Sequence, residues 1–446
     1  MSRSLAGRGW QADFARWLRP FLAALRREAQ RRWAPVYLDG LLGPGERKSV
    51  APMAARVAPD DGQQLHHFVA TSPWATAPLE RVLARTAQRL VGGSRAVLII
   101  DDTALPKQGR HSVGVARQYC GTLGKTANCQ TLVSLTLARA EVPVPLALRL
   151  YLPQEWTANR ARCRRAGVPA EVGFHTKNAL ALAELDRVRA VGVTFEVVLA
   201  DAAYGTSAEF RQALSTRGLC WAVGVLSTQQ VYPAEVRLRP PRVGALGRPS
   251  KHPTPTARSV PAAVRIAALG PRAFHRLVWR RRTKGPLAAE FAAVRVRVAD
   301  GPKAARGRHL PGATAWLVCE RRAGGERKYY LTNHPATASL RTLARAIKAR
   351  WVCEQGHQQM KQELGLDHYE GRSWRGLHHH ALLSMIAFVF LQHWRLTHPA
   401  GGKKTTARRP TAPAHAPRRA PRAPRGDPHP TPPMSPVPRA TAAAAA

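Results

Sequence analysis

Acidic residues are scarce in this chain: Asp and Glu number 27 against 69 Lys and Arg, a formal charge of +42 over 446 residues. So one-signed a charge works against compaction through self-repulsion and suits a polyanionic partner, most simply nucleic acid. A genome that spells basic residues as Arg accounts for part of the excess. Residues 397–446 hold nine Lys/Arg and one Asp, so most of the charge lies in the part before them. Cysteine is also sparse. Cys120, Cys129, Cys163, Cys220, Cys319 and Cys353 form no C-x-x-C pair and no zinc-like spacing, which argues against a zinc site or disulfide framework and suits a reducing compartment. The first residues, "MSRSLAGRGWQADFARWL", contain no apolar run of signal-peptide length. The longest apolar run, "ALLSMIAFVFLQ" at 381–392, is short for a membrane span. "GTLGK" at 121–125 lacks the glycine spacing and the Ser/Thr of a phosphate-binding loop. The expectation is a soluble, cytoplasmic protein with no membrane partner and no nucleotide cofactor.

What is present divides the chain into five parts. Residues 1–92 show helical spacing ("FARWLRPFLAALRREAQRRW", "LERVLARTAQRLV") with Arg-rich faces, and predict a helical DNA-binding domain. Over 93–225 the pattern becomes mixed α/β. "AVLIIDD" (96–102) reads as a buried strand, "QTLVSLTLARA" (130–140) and "VPVPLALRLYLP" (142–153) as a hairpin, and "TKNALALAELDRVRAVG" (176–192) as a helix closed by Gly192. "TFEVVLADAAYG" (194–205) is a further strand, "SAEFRQALSTRG" (207–218) a capped helix and "LCWAVGV" (219–225) a strand. Proline and glycine clusters followed by alternating stretches make 226–327 a β-rich insertion. "KYYLTNHP" leads back to core helices over 328–397, and the Pro/Ala-rich basic tail, 398–446, predicts disorder.

Three acidic residues stand out by position: Asp102 at the end of the first strand, Asp201 at the end of the fourth, and Glu354 in "ARWVCEQGHQQMKQELG". At ~100° per residue, Arg350, Glu354, His357 and Lys361 fall on one side of that helix, within about 60°. One strand-end aspartate is ordinarily a cap. Two of them, in this strand order and followed by a helical glutamate, point to converging carboxylates. Such hard oxygen ligands hold Mg²⁺, with Mn²⁺ as a substitute. A pair of ions can activate the attacking oxygen and stabilise the leaving one in phosphoryl transfer. Arg350 and Lys361 would then bind the DNA backbone, with His357 near the scissile phosphate and Lys107 and Arg117 as further DNA contacts. His378, His379 and His380, at the start of an apolar helix, are expected to face DNA or solvent.

"R-W-V-C-E" followed by Lys361 is similar to the Y-(2)-R-(3)-E-(6)-K signature of one large group of insertion-sequence transposases of the DDE type, except that Ile347 stands at the Tyr position. "GERKSVAPMAAR", "LHHFVATSPW", "HSVGVARQYCG", "GVPAEVGFHTKNALA" and "LGLDHYEGRSWRGLHHH" resemble the family named after insertion sequence 701, over residues 35 to 395. The resemblance implies a ribonuclease H-like α/β core, with Asp102 (preferred over Asp101), Asp201 and Glu354 as catalytic metal ligands. It implies cutting of double-stranded DNA at inverted repeats and joining of the ends to a target, by a homodimer on paired ends at the bacterial nucleoid. It also implies an aromatic residue of the insertion stacked on a flipped base, with Trp279 and Trp316 as candidates. A decayed DNA-binding copy, or a nuclease without strand transfer, are the alternative readings of the same residues.

Overall fold

The computed structural model describes residues 10–241, 252–282, 285–303 and 308–398. The tail from 398, apart from its first residue, lies outside the described residues. Five helices come first: α1 (Trp10–Ala23), α2 (Glu28–Leu42), α3 (Val50–Val57), α4 (Gly62–Ala70) and α5 (Thr76–Val91). Then follow strands β1 (Val97–Pro106), β2 (Ala116–Cys120), β3 (Lys125–Arg139) and β4 (Val142–Leu150), and the short helices α6 (Gln154–Thr157) and α7 (Arg160–Arg165). Next come α8 (Lys177–Ala190), β5 (Val197–Ala200), α9 (Ala202–Gly205), α10 (Ala208–Thr216) and β6 (Trp221–Val225). Helix α8 starts where the Thr176 hydroxyl accepts the Ala179 N–H, and α10 where Ser207 accepts that of Phe210.

The order β4-β3-β1-β5-β6 builds the centre of the sheet. β3 runs antiparallel to β1 on one side and to β4 on the other, while β5 runs parallel to β1 and β6 parallel to β5. This is the ribonuclease H-like arrangement, a mixed α/β fold. Its parallel pair matters most, because strands that run together present their carboxyl ends at one place.

The β-rich stretch that follows contains β7 (Gln230–Pro233), β8 (Leu238–Arg239), β9 (Thr254–Pro255), β10 (Val260–Pro261), α11 (Ala262–Ala267), β11 (His275–Arg282), β12 (Gly285–Val298) and β13 (Thr314–Arg321). Apart from the small β8–β9 pair, these strands extend the main sheet outward. β14 (Arg327–Thr332) pairs with β6, β13 with β14, and β12 with β13. Buried Glu320 clamps this extension to the following helix, α12 (Leu340–Lys348), by taking Lys348 Nζ at 2.7 Å and the Tyr330 hydroxyl at 3.1 Å.

The last helices are α13 (Trp351–Leu364) and α14 (Trp374–Thr397). Gly365 closes α13 in the left-handed conformation at φ 64°. α14 is buried continuously from Gly376 to Gln392, packed on β4 and on the N-terminal helices. Its histidines depart from expectation, because all three are buried rather than turned toward DNA or solvent. His379 lies flat on Trp74, ring centroids 3.5 Å apart, between the carbonyls of Val69 and Trp74. His380 takes the Tyr37 hydroxyl on Nδ1 (2.9 Å) and reaches the Gly365 carbonyl with Nε2 (3.0 Å). His378 bonds the Trp374 carbonyl one turn back. A helix surrounded on all sides buries even three successive polar residues, provided each finds a partner. No described helix is long and apolar enough to cross a membrane.

The N-terminal helices share one core with the sheet. A buried ion cluster pins them: Arg149 of β4 grips both oxygens of Glu80 in α5 (2.7 and 2.5 Å) and one of Glu184 in α8 (2.6 Å), and Arg187 holds the other at 2.7 Å.

Candidate active site

Register decides which side chains meet. Ile100 of β1 lies opposite Ala200 of β5, so Asp101, within β1, stands beside Asp201, just past the end of β5. β1 itself runs on to Pro106 against β3; the sequence placed Asp102 at a strand end, and the structure places it mid-strand. Alternation along β1 puts Ile99 in the cluster formed with Leu199, Val352 and Cys353, beneath α12 and α13. Asp101 shares that face. Asp102 shares the opposite face with Leu98 and Ile100. The adjacent aspartates therefore belong to different environments.

On the α13 side, Asp101 is 8% exposed and accepts Arg350 Nη1 at 2.8 Å. Arg350 Nη2 also reaches Glu354 Oε1 at 2.5 Å. One guanidinium thus bridges a strand carboxylate and a helix carboxylate, and it feels the field of Asp201 as well. Burial pushes the Asp101 carboxyl up to about 7, the negative charges of Asp201 and Glu354 push the same way, and Arg350 only partly offsets them. Desolvation beside like charges is the usual setting of a carboxylate group that takes up a cation. Asp201 starts α9, where its Oδ1 accepts the N–H of Ala203 (2.9 Å) and of Tyr204 (3.4 Å). This turn sits directly on β6: a Cβ on Gly205 would meet the Gly224 carbonyl oxygen at 2.1 Å. Only glycine lets the backbone approach so closely, and that approach sets the position of Asp201.

On the other face, Asp102 Oδ2 pairs with Lys177 Nζ at 2.5 Å and its Oδ1 takes the Tyr204 hydroxyl. Neither Lys177 nor Tyr204 was singled out from the sequence. The available signal was local: Lys177 is the first residue of α8, just after the Thr176 cap, and Tyr204 lies three residues beyond Asp201.

The basic stripe of α13 does not present one surface. Glu354 is 58% exposed at its side chain, whereas His357 is 6% exposed, beneath the helix. His357 Nε2 lies 3.6 Å from Cys353 Sγ. Burial, with Lys361 and Arg350 nearby, lowers its pKa to about 3, so it is neutral. Lys361 holds the Ala104 carbonyl (2.7 Å) and the Thr122 hydroxyl (3.0 Å) with one ammonium. Lys107 is tied to the Tyr369 carbonyl at 2.6 Å. Arg117 is exposed on β2. Trp279 and Trp316 are half-buried in the sheet extension. The first packs edge-on against Phe291 under Lys348, and the second donates its indole N–H to the Pro335 carbonyl at 3.1 Å.

The family model that describes the DDE superfamily endonucleases matches residues 20–286. The chain belongs to this superfamily. The matched stretch contains Asp101, Asp102 and Asp201 and ends before Glu354. A probable transposase for insertion sequence element IS701 from Microchaete diplosiphon is 31% identical over 193 residues. That match covers 43% of this chain and 48% of the relative, so the chain spans about half the length of the relative it matches. Among solved structures, a piggyBac transposase synaptic complex with hairpin DNA aligns at a TM-score of 0.39 and 11% identity, covering 86% of this chain and 72% of that one.

DDE superfamily membership implies a divalent metal, and two donor sets present themselves. Asp101, Cys353 and His357 offer ligand atoms within 4.8 Å of one another. This set does not fit. The Cys353 thiol donates to Thr136 Oγ1 at 3.4 Å, and burial raises its pKa, whereas a metal requires the thiolate. Asp101 and Glu354 share the Arg350 guanidinium, Asp201 stands beside Asp101 across the β1–β5 register, and these hard oxygen donors have the chemistry that suits a hard divalent ion.

Proposed function

We propose that this endonuclease is a transposase that cuts double-stranded DNA at the inverted-repeat ends of an insertion sequence and joins the freed 3′-hydroxyls to a target. The observation that carries the proposal is the Arg350 guanidinium shared by Asp101 and Glu354, with Asp201 set beside Asp101 by the β1–β5 register. In it Asp101, not Asp102, takes the part of first ligand, because the β1–β5 register supports the pairing of Asp101 with Asp201. Mg²⁺ or Mn²⁺ held by these carboxylates, as one ion or two, would activate water or a 3′-hydroxyl and stabilise the leaving oxygen of the phosphodiester.

The chain's own residues have separate tasks. Arg350 holds Asp101 and Glu354 in a fixed relation and turns positive charge toward a phosphate that approaches the helix. Asp102 orients Lys177 and Tyr204 on the far face. Lys361, with its ammonium already engaged, positions the β2–β3 hairpin against α13. His357, neutral and buried, supports the helix from beneath. Exposed Arg117 is a backbone contact, and pairing of two ends calls for a dimer.

The test is a cutting and joining assay on DNA carrying the element's ends, with Mg²⁺ or Mn²⁺, comparing the wild type with Glu354→Gln. Metal-dependent nicks and joined products in the wild type, lost in the variant while DNA binding persists, support the proposal. Nicks without joined products reduce it to a nuclease. Cutting that survives Glu354→Gln overturns the carboxylate assignment.

A further inference from the structure

We infer that Trp279 and Arg280 of β11 are positioning residues: they clasp the corner between α12 and α13, and through it set Arg350 and Glu354 against Asp101. The inference rests on the carboxylate reading above and gives the β-rich insertion a part in that site.

The corner has no fixing of its own. α12 ends at Lys348 and α13 begins at Trp351, with the backbone of Arg350 already helical (φ −59°, ψ −32°) and no side chain capping the start of α13. A helix start without a cap takes its direction from what packs on it. This corner has to be held closely, because Arg350 spans Asp101 and Glu354 with one guanidinium.

β11 supplies the packing. Its register on β12 slips between Val278 and Arg280, which makes Trp279 the extra residue of a bulge. A bulge breaks the strict alternation of a strand and re-aims its side chains, so two neighbours can serve one helix corner. Lys348 Nζ lies 4.3 Å over the Trp279 ring, and the Arg280 guanidinium lies 4.1 Å over the ring of Trp351. These two cation–aromatic contacts bracket Arg350, one of them two residues before it and the other one residue after it.

The clasp is anchored at both ends. Lys348 is also held by buried Glu320 at 2.7 Å. Arg280 lays its fork on Glu141, with Nε 2.5 Å from Oε1 and Nη2 2.7 Å from Oε2. Glu141 lies in the two-residue turn between β3 and β4, where Ala140 has φ 54°, alone among the described non-glycine residues in having a positive φ. Arg395 of α14 holds the Glu141 carbonyl at 3.3 Å. β11 therefore fastens the helix that carries Glu354 to β3, the strand on which Asp101 pairs with Ser134. With its guanidinium engaged by a carboxylate and a ring, Arg280 acts on the site through the corner and not on a phosphate.

The sign of the effect separates this role from simple charge. Removing a cation near a metal site tightens metal binding by Coulomb's law, whereas loosening the corner weakens it. The experiment titrates the full chain with Mn²⁺ in the absence of DNA, reads the free ion by electron paramagnetic resonance, and counts only the uptake that Glu354→Gln abolishes. Arg280→Met keeps the stem over Trp351 and removes the charge. It should raise the Mn²⁺ dissociation constant about tenfold with little change in the thermal midpoint, since Glu141 is half exposed and such a pair adds little stability. Arg280→Lys, which keeps a cation between Glu141 and Trp351, should recover most of the loss. Unchanged or tighter Mn²⁺ binding in Arg280→Met overturns the clasp and leaves the carboxylate reading intact. Equal loss in both variants together with a lower thermal midpoint also overturns it, in favour of a general loss of packing. Wild-type protein that takes up no Mn²⁺ removes the carboxylate reading itself, and the clasp with it.

Discussion

Replacing Asp101 by Asn removes a charge that the fold holds against its tendency to take up a proton. With a carboxyl pKa of about 7 in the folded chain and about 3.9 in the unfolded one, the folded state binds more protons than the unfolded state between those values. Stability therefore falls as pH rises through that window, and the ionised carboxylate destabilises the metal-free fold above it. The difference of about three pH units corresponds to ~4 kcal/mol at pH 8, with the favourable Arg350 contact already included. Asn mimics the protonated carboxyl. Asp101→Asn should thus raise the thermal midpoint at about pH 8, and the gain should vanish near pH 4. Mg²⁺ or Mn²⁺ should stabilise the wild type at about pH 8 and not the variant, a readout independent of catalysis. Asp102→Asn should do the opposite, because it removes the charge that pairs with Lys177 at 2.5 Å and leaves the Tyr204 hydroxyl a neutral acceptor in its place. The measurement is differential scanning calorimetry across pH, with and without metal. An Asp101→Asn protein that is less stable than the wild type at every pH would refute the reasoning, since the Arg350–Asp101 pair would then outweigh the burial of its charge.

Other perturbations test other parts of the molecule. Glu80→Gln leaves Arg149 and Arg187 sharing Glu184 alone, one net buried positive charge, and should cost about 3–5 kcal/mol, read by thermal unfolding; a loss under about 1 kcal/mol would mean the cluster is open to water. Gly205→Ala drives a methyl into the Gly224 carbonyl and should destabilise by about 1–3 kcal/mol; unchanged melting with full cutting would show that the α9 turn relaxes freely. Burial lowers His378, His379 and His380 to about 4 and His357 to about 3. Each contributes stability that is present above an unfolded pKa near 6.5 and lost as pH falls toward the folded value. Circular dichroism melts should therefore fall steeply between about pH 6.5 and 4, beyond what Asp101 gives back, and a flat profile would contradict neutral burial. Lys361→Met should speed hydrogen exchange across residues 116–129 about tenfold by releasing the turn, while exchange in β5 and β6 stays unchanged.

Much of the architecture is written locally in the chain. β1, β5 and β6 are apolar runs bounded by turns, and α8 carries its own start and stop in Thr176 and Gly192. Periodicity and capping act over a few residues, so the sequence alone determined these elements and their order. It also placed Asp201 just past the end of β5, whereas Asp102, expected to end its strand, stands mid-way along β1, which pairs with β3 as far as Pro106. Three features depended on partners far along the chain. Choosing between Asp101 and Asp102 requires knowing which face of β1 meets α13, and that parity comes from pairing with β5, about a hundred residues away. The stripe of Arg350, Glu354, His357 and Lys361 is real on the helix. The limit of burial runs through it, however, so Glu354 is bare and His357 covered, and only the docking of α13 on the sheet draws that line. The histidines of α14 look like surface residues until the helix is enclosed by β4 and the N-terminal helices; Tyr37, Val69, Trp74 and Gly365 then partner His379 and His380, and His378 bonds back to Trp374 of its own helix. Local physics decides where elements begin and end, and the register between distant strands decides which charges meet.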